Sequence, residues 1–82
     1  MPENVNMSNL VSLNTLRKNE SGIIKQISVD VPTKMYDFDF QENQEITLLQ
    51  KSPFMGPILF KIGAIKVAIR YQDAQLIEVE KI

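Results

Sequence analysis

The chain contains no cysteine, histidine or tryptophan, and only three glycines among its 82 residues. Without cysteine there is no disulfide framework, so the small secreted scaffolds that depend on such staples are excluded and a reducing compartment fits. Without histidine the commonest general base is missing, and so is a ferrous site of the two-histidine, one-carboxylate type; no thiolate replaces it. Charge of one sign is also lacking. Nine basic against ten acidic residues leave a net charge of −1, too weak a field to gather phosphate backbones. No apolar run approaches the roughly 18 residues of a membrane-spanning helix, and MPENVNMSNL has neither the basic start nor the apolar core of a signal peptide. The expectation is a cytoplasmic protein with no nucleic-acid partner and no direct membrane insertion.

What is present suffices for one domain with a modest core. Residues 1–9 are polar, rich in Asn and without a periodic apolar face, and read as a flexible tail ahead of a domain spanning 10–82. Leu10, Leu13 and Leu16 recur at spacings of three, with Ser12 as a candidate cap, which suits one helical turn or a compact loop. In GIIKQISVDV, Ile23, Ile27, Val29 and Val31 mostly alternate with a break around Lys25, predicting a strand with a bulge that Pro32 closes. TKMYDFDF is ambiguous between strand and helix; QENQ is a turn signal. EITLLQKS then predicts a half-buried strand with Ile46 and Leu48 on one face and Thr47 and Leu49 on the other.

After Pro57, Ile58, Phe60 and Ile62 point one way, and Ile65, Val67 and Ile69 do the same beyond Gly63-Ala64. Glycine at the first central position of a two-residue loop is what a type II′ hairpin turn requires. RYQDAQ suits a single 3₁₀ turn, and Ile77 and Val79 alternate with Glu78 and Glu80 in a last strand. About five short strands in so small a chain predict a closed or nearly closed barrel, since closure removes exposed strand edges.

SLNTLRKNESGIIKQI and SPFMGPILFKIGAIKVAIRYQDAQLIEVE together resemble the FeoA family of small ferrous iron transport proteins from about Leu10 to Glu80. They also resemble the related SH3-like domain at the C-terminus of some metal-dependent repressors. The first stretch is similar to the family's opening turn and Gly-Glu-x-Gly-x-Ile strand start. The second is similar to its Pro-x-Gly-Gly-Pro, hairpin and Asp-Ala-x-x-Ile-x-Val-Glu. Where the family usually carries glycine, this chain has Asn19, Asp39 and Asn43, residue types tolerant of positive φ. Its usual Leu-Gly-Leu-x-Pro-Gly is replaced by the bulkier FDFQEN.

The resemblance implies an SH3-like small β-barrel with a short N-terminal helical turn and one short inserted helix, which falls on Lys34–Phe38. It further implies a non-enzymatic cytosolic accessory role. The partner would be FeoB, the membrane ferrous iron transporter with a GTPase domain, and the protein would be peripheral at the inner membrane through that partner. The alternative it carries is a sensing or interaction module acting on a metal-dependent repressor.

The residues themselves offer little chemistry. Asp37 and Asp39 beside aromatics read as a solvated face rather than an acid–base pair. Asp37, Asp39, Glu42 and Glu45 lack the ordered ligand spacing of a calcium loop, so no metal site and no cofactor are expected. Recognition remains. Phe54 and Met55, between Pro53 and Gly56-Pro57, either cap one end of the barrel or form an apolar patch for a partner. Phe38 and Met35 are expected to face the core, leaving Tyr36 as a surface contact. Lys51, Lys61, Lys66 and Arg70 read as strand residues facing water, with Lys61 and Lys66 placed symmetrically about the hairpin where an acidic partner would meet them. The candidate partner-binding set is Phe54, Met55, Tyr36, Lys61 and Lys66, and self-association through the Phe-Met loop stays open.

Overall fold

The structure, a computed structural model, describes residues 10–31 and 40–82; the tail expected over 1–9 and the helix expected over Lys34–Phe38 lie outside the described residues. The chain is mainly β, as expected. Its strands are β1 (Leu10–Ser12), β2 (Ser21–Ile27), β3 (Glu45–Lys51), β4 (Ile58–Ile62), β5 (Ile65–Ile69) and β6 (Ile77–Lys81). They form one six-stranded antiparallel sheet in the order β1-β6-β2-β3-β4-β5. A 3₁₀ turn over Leu13–Thr15 follows β1, and a four-residue helix, α1 (Tyr71–Ala74), joins β5 to β6.

One core holds the sheet together. Ile24, Ile46, Leu48, Phe60, Ile77, Val79, Leu13 and Leu16 are fully excluded from water, and Phe40 nearly so. Each such side chain contributes about 1.5–3 kcal/mol relative to an exposed one. Strand alternation explains the membership: Ile46 and Leu48 turn inward while Thr47 and Leu49 are half-buried, and Ile58, Phe60, Ile62, Val67 and Ile69 line the same interior. Gly63 takes φ +59° in the β4–β5 connection and Ala64 keeps φ negative, as a type II′ turn demands. Ile65, expected inside, is 41% exposed because it sits at the hairpin's tip.

Two bulges bend the sheet. The register between β2 and β6 shifts between Ile24 and Gln26, where the break at Lys25 predicts it; a second shift lies between Leu48 and Gln50. The extra residue at Lys25 changes the phase of β2, so Ile24 pairs with Val79 and Ile27 with Ile77 on the inner face. Ile23, expected inside, instead pairs with Glu80 and Glu45 and is only half-buried. β2 also ends sooner than expected. Ser28 accepts the amide of Asp30 at its hydroxyl (3.1 Å) and that of Val31 at its carbonyl (3.1 Å), a local alternative to the ladder that leaves Val29 96% exposed.

Three further expectations are corrected. Leu10–Ser12 is strand, because its register with Glu78–Glu80 of β6 supplies a non-local partner that leucine spacing cannot reveal. Ser12 makes no side-chain cap; its carbonyl accepts the Thr15 hydroxyl at 2.6 Å. The turn expected to be 3₁₀ at RYQDAQ is α1, with amides of Ala74 and Gln75 bonded to the carbonyls of Arg70 and Tyr71.

Candidate partner-docking surface

Residues 52–57 connect β3 to β4, and in their middle the Gly56 amide donates to the Pro53 carbonyl at 3.2 Å. Phe54 and Met55 are the two central residues of that turn, with φ of 59° and 58°. Positive φ at both central positions defines a type I′ turn, where Asn-Gly is the usual occupant. For residues with a Cβ the left-handed region costs on the order of 1–2 kcal/mol each. The side chains recover little of that cost by packing: Phe54 is 98% and Met55 70% exposed. Phe54 therefore does not cap the interior of the sheet; its side chain stands in water.

Two other turns place only one residue at positive φ, and each uses a residue type that tolerates it. In Arg17–Glu20 and Gln41–Gln44 the fourth amide returns to the first carbonyl, and Asn19 (φ 69°) and Asn43 (φ 71°) occupy the third position. Their amides donate at 2.6 Å to Leu48 and Ile24, tying each turn to a neighbouring strand. The expected tolerance of positive φ is seen at both; Asp39 lies outside the described residues. Beside the first of these turns, Glu20 accepts the Arg17 amide at 2.7 Å and faces the Lys81 ammonium at 3.2 Å. That backbone hydrogen bond, helped by Lys81, holds the Glu20 carboxyl below its ordinary pKa.

Lys61 and Lys66 are directly opposite one another in the β4–β5 register and both are exposed. Lys61 also borders a shallow recess with Gln44, Glu45, Thr47 and Gly63, on the outer face of the sheet. Arg70, expected to be a solvent-facing strand residue, lies beyond β5 at the start of α1. Its Nε donates to Asp73 Oδ2 at 2.9 Å, which neutralises a carboxylate whose side chain is 7% exposed. Tyr36 lies outside the described residues, as do Met35, Asp37 and Phe38. Among the described residues no three acidic groups gather in a way that could hold a metal ion.

The structure brings Phe54 and Met55 together but not with the lysine pair. The loop leaves the sheet beside Lys51 and Ile58, whereas Lys61 stands near the opposite end of β4. Sequence reasoning missed Leu59, half-buried on the outer face one pair in from the loop. Its signal was the unbroken apolar run Ile58-Leu59-Phe60, which breaks alternation.

A model of the FeoA domain family matches residues 11–81. No curated protein matches the chain. Among solved structures, the crystal structure of an iron uptake regulatory protein, FeoA, superposes with a TM-score of 0.79 at 26% identity, over 89% of this chain and 97% of its own. Stenotrophomonas maltophilia FeoA complexed with zinc, described as a prokaryotic SH3 domain protein, gives a TM-score of 0.71 at 19% identity, over 84% of this chain and 88% of its own. A manganese-dependent transcriptional repressor gives 0.76 at 22% identity, over 89% of this chain but 42% of the repressor. The last two likenesses bear on fold alone, and that fold is SH3-like.

Proposed function

Because the chain belongs to the FeoA family of small accessory domains associated with ferrous iron transport, we propose that it docks on the cytoplasmic, GTPase-containing part of a FeoB-type transporter through Phe54 and Met55. One observation carries this reading. Two large apolar side chains are held in water by a backbone conformation that glycine would adopt at less cost. Strain of this kind persists where a surface is selected for something other than stability.

Such a protein acts without catalysis. It shifts the transporter between conformations only by contacting one of them better than another, so affinity for that conformation is the working quantity. Phe54 and Met55 suit such docking, because an aromatic anchor fills a pocket and a flexible thioether adapts around it. Among the described residues no helix is long and apolar enough to cross a membrane, so a place at the membrane would come through the partner.

Retention on the immobilised cytoplasmic region of the transporter tests the reading. Wild type is retained, while Phe54→Ala and Met55→Asp are lost, each with an unchanged denaturation profile. Equal retention of all three folded proteins removes the loop from the mechanism.

A second reading is a module acting on a metal-dependent repressor supplied by another chain, such repressors sharing this fold. The same experiment with such a repressor in place of the transporter separates the two.

A further inference from the structure

β5 forms one edge of the sheet: among the described residues it pairs with β4 alone. Five residues run in regular register, with no proline, no bulge and only one charge, Lys66. The hairpin fixes which backbone groups are offered. Ile62 and Ile65 close a two-residue loop and so exchange both hydrogen bonds, and alternation makes Phe60–Val67 and Ile58–Ile69 hydrogen-bonded pairs as well. Lys61–Lys66 and Leu59–Ala68 are then the non-bonded pairs. The N–H and C=O groups of Lys66 and Ala68 consequently point away from β4, where no strand pairs among the described residues.

The outer face beside that edge carries a lysine pair, with Glu45 bordering the same recess as Lys61. Lys61 and Lys66 face each other in a non-bonded pair, the arrangement in which side chains approach most closely and like charges destabilise. Neither belongs to any of the ion pairs among the described residues, which join Lys25 to Glu80, Arg70 to Asp73 and Lys81 to Glu20. On the other face Val67 and Ile69 are buried, and Ile65 leaves an apolar flank exposed.

The geometry points to β5 as a docking edge for an extended acidic segment of another protein, added as a seventh strand. Its alternate residues would be carboxylates beside Lys66 on the outer face, with Lys61 one strand further in adding to the positive field, and apolar groups beside Ile65 on the inner. A second copy of this chain fits less well. Antiparallel self-pairing about Val67 would place Lys66 against Ala68 of the copy, gather both lysine pairs on one face and supply no carboxylate. This edge operates by main-chain hydrogen bonds and is separate from the Phe54–Met55 turn.

The test uses the full chain with a blocked peptide of alternating valine and glutamate, and its valine–lysine counterpart. The acidic peptide is expected to protect the amides of Lys66 and Ala68 from hydrogen exchange. Lys66→Glu should weaken it roughly tenfold and transfer preference to the basic peptide. Ala68→Pro, which removes an outward N–H while leaving the β4 ladder its bonds, should abolish binding of both, and Phe54→Ala should change nothing. Equal binding of the two peptides overturns the proposal, as does protection by neither, or perturbation centred on Phe54 and Met55. Doubling of mass with the same amides protected in the absence of peptide overturns it in favour of a second copy.

Discussion

At Phe54 and Met55 the backbone forgoes stability that smaller residues would keep. Both have left-handed φ, and neither side chain is buried in return. Replacing both with glycine removes the steric cost, partly offset by the greater freedom of glycine in the unfolded chain. The double variant Phe54→Gly/Met55→Gly should therefore be more stable than wild type by about 1–2 kcal/mol in denaturant unfolding. Destabilisation instead would mean that the side chains pack. Asn19 and Asn43 each meet a single positive φ with a small polar residue, whereas this turn holds two consecutive large apolar residues there.

Glu20 sets a pH dependence at the same scale. Its folded pKa is lowered, first by the Arg17 amide and then by Lys81, so folding favours the ionised carboxylate. The contribution is complete above the ordinary carboxylate range and is lost as pH falls through the lowered folded value. Glu20→Gln should accordingly be less stable than wild type at neutral pH, with the two unfolding curves converging in acid. Parallel curves across that window would contradict the assignment.

Among the elements, the close pairing of β2 with β6 depends on one missing side chain. A Cβ on Gly22 would lie 2.8 Å from Val79 Cγ2 and 2.9 Å from Val79 Cβ, inside the closest real contact. Val79 is fully buried and has nowhere to move. Gly22→Ala should cost about 1–3 kcal/mol through this overlap, read as a lowered denaturant midpoint with unchanged slope. Much of this level was legible in the sequence. The Gly63-Ala64 turn, the alternation of β3 and β6 and the bulge at Lys25 follow from local chemistry that the residues state outright. β1 was not legible, because three residues become a strand only when Glu78–Glu80 lie beside them. The early end of β2 was hidden for the opposite reason: the Ser28 hydroxyl competes locally with a ladder that the spacing of Val29 and Val31 would continue.

For the whole molecule, the resemblance of two sequence stretches to the FeoA family identified the fold, and the family match over residues 11–81 agrees with it. The site was legible only in part. Sequence proximity united Phe54 with Met55 and placed Lys61 across from Lys66, but a bulky apolar residue in a proline-bounded loop reads equally as cap or knob until the turn's φ angles are known. The pairing of Arg70 with Asp73, and the outward direction of the Lys66 and Ala68 amides, depend on register that no single stretch encodes.

Whether the strained turn is the docking surface is decided by calorimetric titration of the transporter's cytoplasmic region with wild type and with Phe54→Gly/Met55→Gly. The more stable variant should bind at least roughly thirtyfold more weakly, the loss of a central apolar anchor worth about 2 kcal/mol. Equal affinity in a variant that is folded and stabilised would contradict a docking role for the turn.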